Sequence, residues 1–160
     1  MAEKLLGKDD AAGEGTIGAN YFILNRYKAD ASGSMTLFYL RSANNGNIKV
    51  AIYADDGGEP PNPAAVITAM NTGQAVGAGW VSVTFTSTDI VKDSYYWLGY
   101  ITDATIVRFD YSGVRRYKVA TYAGFTFPDS PTGLTSDTYG SLTAGWGTIP
   151  SAFQPWATLM

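Results

Sequence analysis

The 160 residues contain neither histidine nor cysteine. Their joint absence removes the imidazole base, the thiolate nucleophile, the disulfide and every thiolate or imidazole metal ligand. Glutamate is almost as scarce: Glu3 and Glu14 lie in a polar N-terminal stretch, and Glu59 lies in a proline loop. Glycoside hydrolysis sets two carboxylates roughly 5–10 Å apart across a cleft. No aspartate sits mid-strand in an alternating pattern where it would face one. These gaps point to a protein that is not an enzyme.

Charge is also thin. Charged residues make up 16% of the chain, the net charge is −3, and no basic run exceeds the Arg115-Arg116 pair. Nucleic-acid binding draws on clustered Lys and Arg to release counterions, so no nucleic-acid partner is expected. No apolar stretch approaches membrane-span length, so membrane insertion is not expected either. No apolar h-region follows Met1-Ala2-Glu3-Lys4, and no secretory signal is expected in the chain. Gly13 to Gly18 spells G-x-G-x-x-G, but a polar stretch precedes it and a strand-like segment follows. The dinucleotide motif needs a strand before and a helix after.

What is abundant is aromatic and glycine residues: 14% of the chain is Phe, Trp or Tyr, and 18 residues are glycine. Aromatics suit half-buried pleated surfaces, and glycine suits tight turns. The length fits one domain with a continuous core. Residues 1–18 read as an N-terminal arm or loosely attached strand, able to pair with a neighbouring subunit. Residues 19–160 read as a single β-sandwich. Strands are expected at Tyr21–Lys28, Met35–Arg41, Ile48–Tyr53, Ala65–Met70, Trp80–Thr86, Ser94–Thr102, Ile106–Asp110 and Tyr117–Tyr122.

Asn44-Asn45-Gly46 and Ser112-Gly113 read as turns, and Asp55 to Pro63 as a loop. Ile48, Val50 and Ile52 should face one way, with Lys49, Ala51 and Tyr53 on a wet face. Asp89-Ile90-Val91-Lys92 is the one candidate helical turn. The tail from Phe125 should pack on the sandwich. The fold class is all-β: an antiparallel, jelly-roll-like β-sandwich of about eight or more strands with a flexible N-terminal arm.

Three segments follow one another: Lys49-Val50-Ala51-Ile52-Tyr53-Ala54-Asp55, Ala78-Gly79-Trp80-Val81-Ser82-Val83-Thr84-Phe85, and Tyr95-Tyr96-Trp97-Leu98-Gly99-Tyr100. This succession resembles a loosely defined class of jelly-roll modules in phage structural proteins and in bacterial or archaeal surface proteins. The stretch from Ala120 through Pro128 to Gly133 is similar to the C-terminal part of such modules. The resemblance spans about residues 15–150 and implies an assembly or sugar-binding domain, without catalytic residues to carry over.

Candidate contact residues, for a carbohydrate or a protein partner, are Trp80, Tyr95, Trp97, Tyr100, Trp146 and Trp156. By alternation Tyr96, Leu98 and Tyr100 share one face, and Tyr95, Trp97, Gly99 and Ile101 the other. Either the second face exposes its rings for stacking or burial by a partner, or the strand is covered on both sides. Asp55, Asp56 and Glu59 could ligate Ca2+, although Asp-Asp-Gly-Gly is equally a hairpin tip. Asp103, Asp129 and Asp137 are weaker metal candidates.

The expectation is a structural protein of a virion (capsid decoration, head fibre or tail-associated) or of an extracellular surface assembly, located there. Its partners would be copies of itself, as a symmetric homo-oligomer, or other virion or surface proteins. The alternative is a carbohydrate-binding module or adhesin that takes glycans on exposed Trp and Tyr.

Overall fold

The computed structural model describes residues 3–8, 15–141 and 143–149, with side chains at 107–113 and 137–141 left aside. These residues form eleven β-strands and no helix: β1 (Glu3–Gly7), β2 (Gly15–Ile17), β3 (Tyr21–Lys28), β4 (Gly33–Ser42), β5 (Gly46–Asp55), β6 (Pro63–Val76), β7 (Gly79–Ile90), β8 (Tyr95–Thr102), β9 (Ile106–Val119), β10 (Thr135–Ser141) and β11 (Thr143–Thr148). All pairings are antiparallel.

One sheet runs β1-β11-β4-β7 and the other β10-β9-β3-β8-β5-β6, joined where Ser42 of β4 meets Ile106 of β9. Setting aside β2, β9 and β10, eight strands remain. In chain order the first sheet is then first-eighth-third-sixth and the second is second-seventh-fourth-fifth. That wiring is the jelly roll, two Greek keys wound together.

Strand alternation builds the core between the sheets. Ile48, Val50 and Ile52 of β5, Tyr96, Leu98 and Tyr100 of β8, Phe38 and Leu40 of β4, and Val83 and Phe85 of β7 all enter it. Most of the opposite residues of β5 and β8 do not meet water either; Tyr95, at the start of β8, is the exposed exception. Ala51, Tyr53, Trp97 and Ile101 join Phe22, Leu24 and Phe127 in a second cluster, on the outer face of the six-stranded sheet.

Residues 120–134 cover that face. Lys49 Nζ donates to the carbonyls of Tyr122 (3.2 Å) and Phe125 (3.0 Å), and the Tyr53 hydroxyl donates to Pro128 O at 2.7 Å. Burial, helped by the charge of Asp129, drives the Tyr53 hydroxyl pKa far upward. The expected wet face of β5 is therefore dry. Lys49 is buried because its ammonium finds two carbonyls and the Tyr122 ring, 4.6 Å away.

Other expectations change as well. Residues 1–18 are not a detached arm where they are described: Glu3–Gly7 pairs with β11, and Leu5 and Leu6 are fully buried. Two adjacent leucines can both face inward because the register shifts between Lys4 and Leu6. Gly15–Ile17 likewise pairs with β9.

Ser112-Gly113 does not end a strand. β9 continues through it, and the register jumps from Arg115↔Asp137 to Asp110↔Tyr139, so the glycine lies in a bulge. Asp110 is accordingly inside a strand, not at its end. Asp89 and Ile90 finish β7, and Lys92-Asp93 is a tight turn with Asp93 at φ 69°, not a helical turn. The strand at Ala65–Met70 extends to Pro63–Val76.

Candidate functional site

Residues 120–134 cap one sheet, whereas the outer face of the other carries its partly exposed aromatics, Tyr39, Trp80 and Trp146, without such a cover among the described residues. On β4 the core takes Phe38 and Leu40, which turns Leu37, Tyr39 and Arg41 outward. The register sets Trp80 opposite Arg41, Ser82 opposite Tyr39 and Thr84 opposite Leu37. On the other side of β4, Trp146 stands opposite Leu37, and Lys4 of β1 stands opposite Trp146.

The Tyr39 and Trp146 rings stack at 5.2 Å with 20° between their planes, and Trp80 is 40% exposed. The register places Arg41, Ser82 and Thr84 beside these rings on β4 and β7. Sequence analysis singled out Trp80 and Trp146 but missed Tyr39, Leu37 and Arg41. Their signal was the period-2 alternation in Met35–Arg41, which puts Tyr39 on the face opposite Phe38 and Leu40.

The remaining aromatic candidates part company. Trp97 and Tyr100 are fully buried, Trp97 under residues 120–134 and Tyr100 in the core between the sheets, so neither presents a ring to a partner. Tyr95 is 41% exposed but lies on the other sheet, with the Arg26 guanidinium 3.7 Å above its ring. Trp156 falls outside the described residues.

The acidic loop is a clamp. Asp55 accepts both Arg26 Nε (2.8 Å) and Arg26 Nη2 (2.9 Å), the Trp97 indole N–H (2.9 Å) and the Gly57 amide (3.1 Å). Burial pushes its carboxyl pKa up. These donors and the Arg26 charge outweigh that and hold it below the usual carboxylate range.

Asp56 accepts the amides of Gly58 (2.8 Å) and Asn62 (3.0 Å), which keep its pKa low. Arg116 fixes the far side of the loop by donating to Pro61 O at 2.8 Å. Asp55, Asp56 and Glu59 thus do not converge on a cation, because loop and strand donors take the two aspartates. Among the described residues no group of three acidic side chains is placed to hold a metal ion. Asp103 binds the Asn47 amide at 2.6 Å, and Asp129 lies in the capping segment, its carbonyl accepting Val66 N–H. The Asp137 side chain is outside the described set.

The architecture and this face define a jelly-roll β-sandwich with one capped sheet and one aromatic-bearing sheet. Neither a protein-family model nor a curated protein matches the chain.

Proposed function

We propose that this domain is a non-enzymatic assembly module of a virion or extracellular surface structure, joining copies of itself or other surface proteins through the outer face of the β1-β11-β4-β7 sheet. One observation carries the reading: on that face Trp80, Leu37 and the stacked Tyr39–Trp146 pair are register neighbours that form an aromatic–aliphatic cluster. Aromatic residues with an Arg among them are the usual anchors of protein contacts. The jelly-roll wiring is shared by viral capsid and by lectin domains, so it accords with this reading by analogy of fold and equally with a sugar-binding role.

The alternative, a carbohydrate-binding module or adhesin, draws on the same Trp80. A pyranose stacks on an open ring face, whereas Tyr39 and Trp146 cover part of each other. That stack favours a protein partner.

Light scattering on the wild type and on Trp80→Asp tests the reading. A wild-type oligomer that dissociates in the variant supports assembly. A wild-type monomer at high concentration, with glycan binding abolished by Trp80→Ala, replaces assembly with the sugar-binding alternative.

A further inference from the structure

The capping segment leaves a pocket where it crosses the outer face of β3 and β9. Its volume is about 230 Å³. Phe22, Ala120, Phe125, Pro128 and Pro131 give it an apolar lining. Phe22 and Phe125 rings meet at 5.3 Å, and Phe22 is almost wholly buried. Polar groups come from Ser130, Thr132 and the Lys118 ammonium.

Three features make this a preformed site. The segment is anchored on either side of it, by Tyr122 N–H to Asn20 Oδ1 (2.9 Å), Phe127 N–H to Asn71 Oδ1 (2.9 Å) and Tyr53 to Pro128 O. The two prolines have fixed φ and no N–H, which stiffens the wall. Lys118 is exposed on β9, and among the described residues its one contact of hydrogen-bond type is a long 3.5 Å approach to Thr132 O, which leaves further ammonium N–H groups to donate to a ligand.

We propose that this pocket binds a small carboxylate with an aromatic or branched apolar body, the body on Phe22 and Phe125 and the carboxylate on Lys118. The pocket lies just under the range of about 300–1,000 Å³ that takes drug-sized ligands, which suits one ring or one side chain. Mostly apolar walls with few convergent polar groups are the usual makeup of such sites. The one acid in the segment, Asp129, has its charge close to Tyr53. Two sources share the chemistry: a free small acid, and the C-terminal residue of a polypeptide.

Amide chemical shifts of the full chain titrated with four probes decide it. The probes are 3-phenylpropionate, its neutral amide, an N-acetyl dipeptide ending in a free Phe carboxylate, and the amidated dipeptide. Shifts of Ala120, Ser130 and Thr132 on adding the acids, weaker by about fivefold in affinity for the amides, are expected, since an exposed ion pair is worth up to about 1 kcal/mol. Lys118→Met should abolish that preference, and Ala120→Leu should block all binding.

A response to 3-phenylpropionate alone identifies a free acid, and a response to the dipeptide acid alone identifies a chain terminus. No shifts at these amides, or equal affinity for acids and amides, overturns the proposal.

Discussion

Trp97 donates its indole N–H to Asp55 Oδ1 at 2.9 Å, and Arg26 closes on both oxygens of the same carboxylate. The three residues come from β8, β5 and β3. They meet because Trp97 is the cross-strand neighbour of both Tyr53 and Arg26, and Asp55 lies two residues beyond Tyr53 on the same face.

This triad makes stability depend on pH. The folded Asp55 pKa lies below its unfolded value, so its contribution is fully present above the unfolded pKa of about 4 and is lost as pH falls through the folded pKa. Urea unfolding from pH 7 to pH 2 should show wild type losing more stability than Asp55→Asn. Asp55→Ala, which removes the carboxylate that Arg26, Trp97 and the Gly57 amide all bond, should cost about 2–4 kcal/mol at pH 7.

The two tryptophans on opposite sheets should behave oppositely. Trp97 is fully buried, so Trp97→Ala is expected to lower unfolding free energy by about 3–5 kcal/mol. Trp80→Ala should cost under about 1 kcal/mol and, under the proposed assembly role, weaken self-association. Chemical denaturation and light scattering on the same samples check both.

Asn25 is fully buried, and among the described residues neither its Nδ2 nor its Oδ1 has a hydrogen-bond partner. Asn25→Leu is therefore expected to raise stability by about 1–2 kcal/mol, since an unsatisfied buried amide costs about that much. A destabilised variant in thermal denaturation would show instead that an enclosed water satisfies the amide.

Two glycines should differ in how they resist a methyl group. A Cβ at Gly99 would sit 2.8 Å from Leu24 Cδ2, a side-chain end that can swing aside. Gly99→Ala should cost about 1–3 kcal/mol. At Gly147 the Cβ would run into the backbone carbonyl of Ser34, which is held in the β4–β11 ladder. Gly147→Ala should cost more, with the larger drop in urea midpoint.

Lys49→Met removes both donors that tie Tyr122 O and Phe125 O to β5. Limited proteolysis should then cut within residues 120–134, at sites the wild type protects, before the core strands are touched.

The sequence by itself determined the all-β class, and it determined which residues of β5 and β8 share a face. Side chains alternate with period 2, and that period is fixed locally. It did not reveal whether each face is wet. Lys49 reads as solvent-exposed, and only the return of residues 120–134 across the sheet buries it.

The same holds for the site. Trp97 and Trp80 look alike in sequence, each in an aromatic or β-branched run. One is covered by the segment 120–134, which begins 23 residues further on, and the other lies on the opposite sheet. Leu5 and Leu6 looked like part of a polar arm because five residues pair too briefly to show a pattern. Their burial depends on β11, near the far end of the chain. Contacts between segments distant in the chain, which no local period encodes, decided the burial of Lys49, of Trp97 and of the Leu5-Leu6 pair.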